Sequence, residues 1–432
     1  MIPETELDVD TITDRRPSWI PTAHTVSWQM LMVTTLAMLM ISIDRQILPT
    51  VLPAIMSEFN LSSAEAGWLN SLTFIGSFLG AIVVGVLADQ YGTGHKRSGS
   101  WLFSCGITVA SGLATVYSQS ITWLQTLRIT MGFGTGAMEP INVAVVNEFW
   151  QKENRGFALG VHQIGMPLGQ FIGPLAMGLI LLYGDWRMTF LWIPLVGLPI
   201  MFLQNYIGRK SNEERVYAWI KEKNLTLPIN DTQATAPSIR SNLKEAVKNK
   251  NSLLCLLMFF LFLWAEMGVG TFITHDLTSR LGISLSEAAM ISGASGIIGW
   301  VGQIFWGSLS DRKGRKWCLT VITLGFSACI ALLILIDSIE MAWALLIFWG
   351  VFRNSPYVVL FSLLLDKASH SAGGSLGLLI GIGLGAAGFL VGPASGYIIE
   401  HFGWSWNYAM LSISCLAALL PLYFVKDTIN DH

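Results

Sequence analysis

Apolar runs long enough to cross a lipid bilayer recur twelve times in this 432-residue chain, and that pattern leaves few folds open. A bilayer core of roughly 30 Å needs about 20 apolar residues in helical form. The runs centre on residues 28–53, 66–88, 98–118, 121–148, 156–182, 188–207, 252–275, 287–310, 316–336, 340–365, 373–399 and 405–425. Only 12% of the residues are charged, about half the share usual in a soluble domain. The expected fold is therefore an all-α membrane protein with twelve transmembrane helices.

The basic residues orient it. With both termini placed in the cytoplasm, 21 of the 26 Lys and Arg fall in cytoplasmic segments, nine of them in 208–250. The outer loops hold two, Arg187 and Arg280, and three more (Arg45, Arg128, Arg353) lie inside helices. Short cytoplasmic loops are the ones enriched in Lys and Arg, so cytoplasmic termini are expected. The segment 1–27 has acids, three prolines and no apolar centre, which reads as a cytoplasmic tail and not a cleavable signal. Residues 28–207 form one six-helix bundle, 208–250 a cytoplasmic linker, 251–426 a second bundle, and 427–432 a short tail. Within the linker, Glu213–Lys223 can form an amphipathic helix, and 228–241 reads as flexible connection. The five cysteines show no metal spacing and read as buried thiols. No metal, cofactor or nucleic-acid partner is expected, and the molecule is expected to be a monomer in the inner (plasma) membrane.

The halves repeat each other. Gly85-Val86-Leu87-Ala88-Asp89-Gln90-Tyr91-Gly92 returns as Gly307-Ser308-Leu309-Ser310-Asp311-Arg312-Lys313-Gly314, with the aspartates 222 positions apart. Gly169-x-x-x-Gly173-Pro174 returns as Gly388-x-x-x-Gly392-Pro393, 219 apart. Six helices bring the chain back to its starting side, so the two repeats run parallel. Such parallel halves around a central site are a transporter arrangement. The segment Gly307–Lys316 closely resembles the G-x-L-x-D-R-x-G-R-K signature of the major facilitator superfamily, and the chain is similar to that superfamily over its full length. The first copy departs from the signature at Gln90 and at Thr93-Gly94 before His95-Lys96-Arg97. The resemblance implies two parallel six-helix bundles and a cytoplasmic gate built on Gly85, Asp89, Gly92, Lys96 and Arg97 and on Gly307, Asp311, Arg312, Gly314 and Arg315. Of the two latches, the intact one at Asp311 is expected to be the stronger.

Charge at membrane depth costs about 2.5–3.5 kcal/mol per residue on insertion scales, so it marks function. Six such charges stand out: Asp44 and Arg45 in the first helix, Arg128 and Glu139 in the fourth, Glu266 in the seventh and Arg353 in the tenth. In the resembled fold those four helices line the central cavity. On the fourth helix, Arg128, Thr135, Glu139 and Asn142 fall within a face about 60° wide at 100° per residue, and this face is expected to meet a wet cavity. Asp44 and Arg45 point about 100° apart and cannot pair with each other. Arg128 is the expected partner of Asp44, which leaves Arg45 free to project inward. The six charges sum to zero, so protonating a carboxylate would release an arginine for an anion, a reciprocal coupling. Gln163, Gln303, Asn354 and Tyr357 are candidate pocket donors beside Arg45, Arg353 and Asn142. His162 is a candidate proton relay, and Trp264, Trp300, Trp306, Trp349 and Tyr357 are candidate wall residues.

The stretch Asp44-Arg45-x-x-Leu48 with Pro49 and Pro53 beyond, Arg128-x-x-x-Gly132, Pro140, Arg155-Gly156 and Glu213-Glu214-Arg215-x-x-x-Trp219-Ile220 resemble the anion:cation symporters. The resemblance implies uptake of a small organic anion (a sugar acid, aromatic acid or dicarboxylate) with a proton or with sodium. Arg45 would hold the substrate carboxylate, and Asp44, Glu139, Arg128 and Glu266 would serve the coupling. The family's glutamate seven residues after the fourth-helix arginine is Thr135 here, with Glu139 one turn further on. Two other functions compete. Gly160-x8-Gly169-x3-Gly173-Pro174 also resembles the fifth-helix signature of proton-coupled drug antiporters, with Met177 where glycine is usual. A nutrient sensor that binds without transport is the third, disfavoured by the lack of a sizeable signalling domain. Enzymatic activity is not expected, for the soluble parts hold no nucleotide loop, metal cluster or nucleophile motif.

Overall fold

Proline and glycine set where these helices bend and where they touch. The structure is a computed structural model describing residues 20–228, 248–367 and 379–425, with the side chains of Val86, Asp89, Leu365, Asp366, Lys367, Leu379 and Ile380 left out. Residues 1–19 of the N-terminal tail, the C-terminal tail, most of the expected flexible connection at 228–241 and the start of the eleventh apolar run lie outside the described residues.

The first half comprises α1 (Thr25–Phe59), α2 (Ser63–Tyr91), α3 (His95–Thr115), α4 (Ile121–Phe149), α5 (Arg155–Gln163 continued by Gly165–Leu181) and α6 (Trp186–Leu195 continued by Gly197–Ile207). The second comprises α7 (Lys250–Leu281), α8 (Leu285–Ser292 and Ser295–Lys313), α9 (Arg315–Leu332), α10 (Ile339–Arg353 and Ser355–Lys367), α11 (Gly385–Phe402, entered through a π-helical turn, Leu379–Leu384) and α12 (Trp404–Ala417 and Leu419–Phe424). Ten of these twelve units are long and apolar enough to cross a membrane. The other two are α3 and α4, whose 21 and 29 residues rise about 31 and 43 Å at 1.5 Å each. Their length suffices, but Ser, Gly and Thr in α3, and Gly, Thr and Arg128 in α4, lower their mean hydropathy.

Each half packs on itself. In the first, α4 is clasped by α2 and α3, and α1 lies along α5. Small residues permit this: a Cβ on Gly132 would stand 2.0 Å from the Thr73 carbonyl oxygen, and one on Gly169 2.5 Å from Ser42 Cβ. In the second, α8 packs on α10 and α9 on α12. The two motif turns end alike, with Gly92 at φ +129° and Gly314 at φ +97°, backbone that favours glycine.

Across the halves, α2 meets α11, α5 meets α8 and α1 meets α7. The tightest approaches lie toward the end remote from the linker. A Cβ on Gly67 would be 2.1 Å from Gly392 O, one on Gly396 2.1 Å from Ser63 O, and one on Gly178 2.8 Å from Ser286 O. Near the linker end the same helices are apart: Cβ atoms on Gly85 and Gly381 would meet nothing within 4 Å. The molecule is thus closed at the end remote from the linker.

Gly67→Ala is expected to wedge this seam open without unfolding either bundle, because overpacking of about 1–3 kcal/mol falls on the contact between them. The check is thiol labelling of Ser71→Cys, whose parent hydroxyl is buried against Gly388 O. The five native cysteines are all buried, so background is low. Labelling of Gly67→Ala/Ser71→Cys should run about tenfold faster than of Ser71→Cys alone, at an unchanged Tm.

Candidate substrate cavity between the bundles

A cavity of about 330 Å³ lies between the halves, within the size range of small-molecule sites. Its lining comes from α1, α2, α4, α5, α7, α8, α10 and the turn before α11, with none from α3, α6, α9 or α12.

Local chemistry explains where the polar groups project. Proline removes the helical hydrogen bond to the carbonyl four residues earlier. Pro49, Pro167 and Pro174 therefore loosen the helices at Arg45, Gln163 and Gln170, and all three side chains line the cavity. Pro356 follows the break between the two parts of α10, where Arg353 ends one helix and Asn354 caps it. Asn354 donates to Gln170 Oε1 at 2.8 Å.

Two ion pairs face the space, one from each bundle. Arg45 Nη2 stands 2.5 Å from Glu139 Oε2, joining α1 to α4. Arg353 Nε stands 2.8 Å from Glu266 Oε1, joining α10 to α7. Tyr357 donates its hydroxyl to the other Glu266 oxygen, and Arg353 Nη1 donates to Ser295 Oγ at 2.7 Å. The Arg353 guanidinium also lies 4.9 Å above the Trp349 ring. The rest of the lining is largely apolar, with Phe74 on one side and Phe259, Leu263 and Phe361 on the other.

Several expectations meet a different geometry. Arg128 does not touch Asp44 in a direct ion pair, although each is the opposite charge that acts on the other. It donates to Thr115 Oγ1 at 2.5 Å and lies 4.5 Å over Phe190. Asp44 is 3% exposed, off the cavity, and neither carboxylate oxygen has a hydrogen-bond partner among the described residues. Arg45 is not free, since Glu139 holds it. Of the polar face on α4 only Glu139 reaches the cavity. Asn142 is fully buried and donates to Thr34 O at 2.8 Å, and Thr135 turns back to its own helix carbonyls. The face is covered piecewise: α1 seals it at Asn142, and at Arg128 it meets Thr115 of α3 and Phe190 of α6. His162 is likewise fully buried and off the cavity. Among the candidate wall residues Tyr357 lines the space, whereas Trp264, Trp306 and Trp349 pack in the second bundle's core and Trp300 is exposed. Gly381 faces open space.

Sequence reasoning missed other functional positions. Asn70 donates to Thr271 Oγ1 at 2.9 Å across the bundles, beside Phe74. Prolines four residues on mark Gln163 and Gln170, which line the cavity, whereas Phe74, Phe259 and Phe361 carried no such signal, being ordinary apolar residues in apolar helices. Asp276 is a further deep charge, fully buried, paired with Arg280 in the last turns of α7 and accepting from Tyr408. Arg280 therefore belongs to a helix and not to an outer loop.

The gate residues divide into two groups. Asp311 is 63% exposed and pairs with Arg315 at 2.5 Å inside its own turn, while Arg312 and Lys96 are exposed. The Asp89 side chain lies outside the described residues. In the first turn the firm contacts come from two carboxylates beyond the motif. Glu148 accepts from Arg97 Nε at 2.6 Å and from Gly94 N at 2.7 Å. Glu213 accepts from His95 N at 3.0 Å and meets His95 Nδ1 at 2.8 Å. Glu213 belongs to the linker helix Lys210–Glu222, which seats Val216 and Ile220 in the first bundle's core.

The family profile described as Major Facilitator Superfamily matches residues 34–378 and, in a second overlapping match, 255–431. The chain belongs to the major facilitator superfamily. It is a multi-pass integral membrane transporter. It is 24% identical over 433 residues to the benzoate transport protein of Acinetobacter baylyi, covering 93% of this chain and 90% of that one. It is 25% identical over 406 residues to the hexuronate transporter of Bacillus subtilis, covering 90% and 92%. Among solved structures, a D-xylose-proton symporter superposes with a TM-score of 0.73 at 16% identity, over 92% of this chain and 98% of that one. That likeness shows the shared fold.

Proposed function

We propose that this facilitator takes up a small organic anion together with a proton by alternating access, with its termini and linker in the cytoplasm. The observation that carries the reading is the pair of arginine–glutamate contacts facing one cavity, one in each bundle. A guanidinium binds carboxylate in bidentate fashion, but both are already occupied by protein carboxylates. Protonating Glu139 or Glu266 frees Arg45 or Arg353 for a substrate carboxylate and keeps the cavity neutral. Proton and anion then favour each other's binding. Because each bundle supplies one arginine, an anion held by both would draw the bundles together. With the linker cytoplasmic, the closed end is the outer one, and the conformation faces inward. The named relatives, which carry benzoate and hexuronate, support an anionic substrate.

The apolar walls favour an acid with a flat or apolar body over a polyhydroxylated one, whose hydroxyls would find few partners there. Benzoate should raise the Tm of the purified protein more than glucuronate at equal concentration, and more at pH 5.5 than at pH 8. In proteoliposomes, labelled benzoate should accumulate under an inward proton gradient and stop when a protonophore collapses it. Efflux driven by that gradient would point to antiport instead, and no response to either acid would remove the anion reading.

A further inference from the structure

The Arg353–Glu266 pair has a contact that the Arg45–Glu139 pair lacks: it is touched by the opposite bundle. Gln170, on α5 of the first bundle, accepts from Asn354 Nδ2 at 2.8 Å and places its own Nε2 3.5 Å from Glu266 Oε1. That oxygen is the one that accepts from Arg353. Gln170, Glu266, Arg353 and Asn354 are each under 9% exposed, so the group is nearly dry. It sits in the seam between α5 and α8, where a Cβ on Gly296 would stand 2.6 Å from Phe171 N and one on Gly293 3.2 Å from Gln170 O.

We propose that Gln170 is a positioning residue through which closure of the outer seam sets the protonation of Glu266. The reading rests on the alternating-access function above. Arg353 and Tyr357 ride on the same bundle as Glu266 and stay with it in any rigid-body motion. Gln170 rides on the other. When the seam parts, Glu266 loses the Gln170 amide and Asn354 loses its acceptor, while the two contacts from α10 persist. Donors to a carboxylate favour its charged form. Charged Glu266 therefore has one more donor with the outer seam closed than with it open, which is the order in which symport takes up a proton outside and releases it inside. By reciprocity, protonation favours the open seam. The other charged groups facing the shared cavity are Arg45 and Glu139, across it on α1 and α4; they pair with each other.

The test needs no substrate, so its outcome is independent of whether an organic anion is carried. Spin labels are placed at Tyr183→Cys, 92% exposed at the outer end of α5, and at Asp337→Cys, exposed before α10, in the full chain in lipid nanodiscs. Distance distributions are compared at pH 5 and pH 8. The wild-type background should show the ratio of long to short distances rising about fivefold or more at pH 5, the lower end of ordinary coupling factors. Gln170→Leu should reduce that change to less than about twofold, and Gln170→Asn should retain part of it. Glu266→Gln should give a ratio that no longer follows pH. A wild-type ratio that does not move with pH, or a Gln170→Leu response superimposable on it, overturns the proposal. Should Gln170→Leu fail to fold, Asn354→Leu removes the hydrogen bond that orients the Gln170 amide toward Glu266, and its pH response should likewise fall below the wild-type one.

Discussion

Arg45→Ala is expected to abolish proton-driven uptake, by about a hundredfold or more, in protein that still inserts and folds. The side chain is 14% exposed and its carboxylate partner Glu139 is 22% exposed, so both stand at the cavity surface where water can reach the group left behind. The stability loss should accordingly stay below the about 3–5 kcal/mol of a fully buried broken pair. The loss of function is larger because a bidentate partner for the anion disappears while a negative charge stays. Arg45→Lys should rescue little, since an ammonium cannot reproduce the fork geometry. Arg45→Ala/Glu139→Gln should restore stability but not uptake. Titration of the purified variants with benzoate, followed by Tm, separates the two effects. Wild-type binding by Arg45→Ala would remove this residue from the site and leave Arg353 as the anchor.

Asp44→Asn is expected to eliminate accumulation driven by a proton gradient while leaving exchange of substrate across the membrane. A buried carboxylate with no hydrogen-bond partner at either oxygen is costly in its charged form, and an amide of nearly the same shape is less so. The variant should therefore be at least as stable as the parent, with an equal or higher Tm, although it transports worse. A purely structural carboxylate would show the opposite pattern, losing stability when its charge is removed. The paired measurements are counterflow and gradient-driven uptake in the same proteoliposomes. Unchanged gradient-driven uptake would take Asp44 out of the coupling and leave Glu139 and Glu266 to carry it.

These two residues show how far the chain could be read in advance. Their depth in a bilayer followed from position within an apolar run, and their divergence from each other followed from the 100° helical step. Their partners did not follow. Arg128 was the natural mate for Asp44 by charge and depth, yet it turns to Thr115 and the Phe190 ring. Glu139 took Arg45 where α1 passes α4. Asn142 was phased correctly with Glu139 on the helix and is nevertheless sealed under α1. At the motif turns the sequence showed a degraded first copy, but the carboxylates that hold it, Glu148 and Glu213, come from the end of α4 and from the linker helix.

The division has a physical cause. Hydropathy, proline and glycine placement, helical phase and the half-length repeat act over neighbouring residues, so the sequence alone determined the apolar runs, the duplication and which helices carry charge. The azimuth and tilt of one helix against another are set by contacts between residues over a hundred positions apart, such as Gly67 against Gly392 and Gly178 against Ser286. Only the tertiary structure could therefore decide which arginine meets which glutamate, which aromatic residues wall the cavity, and which end of the molecule is shut.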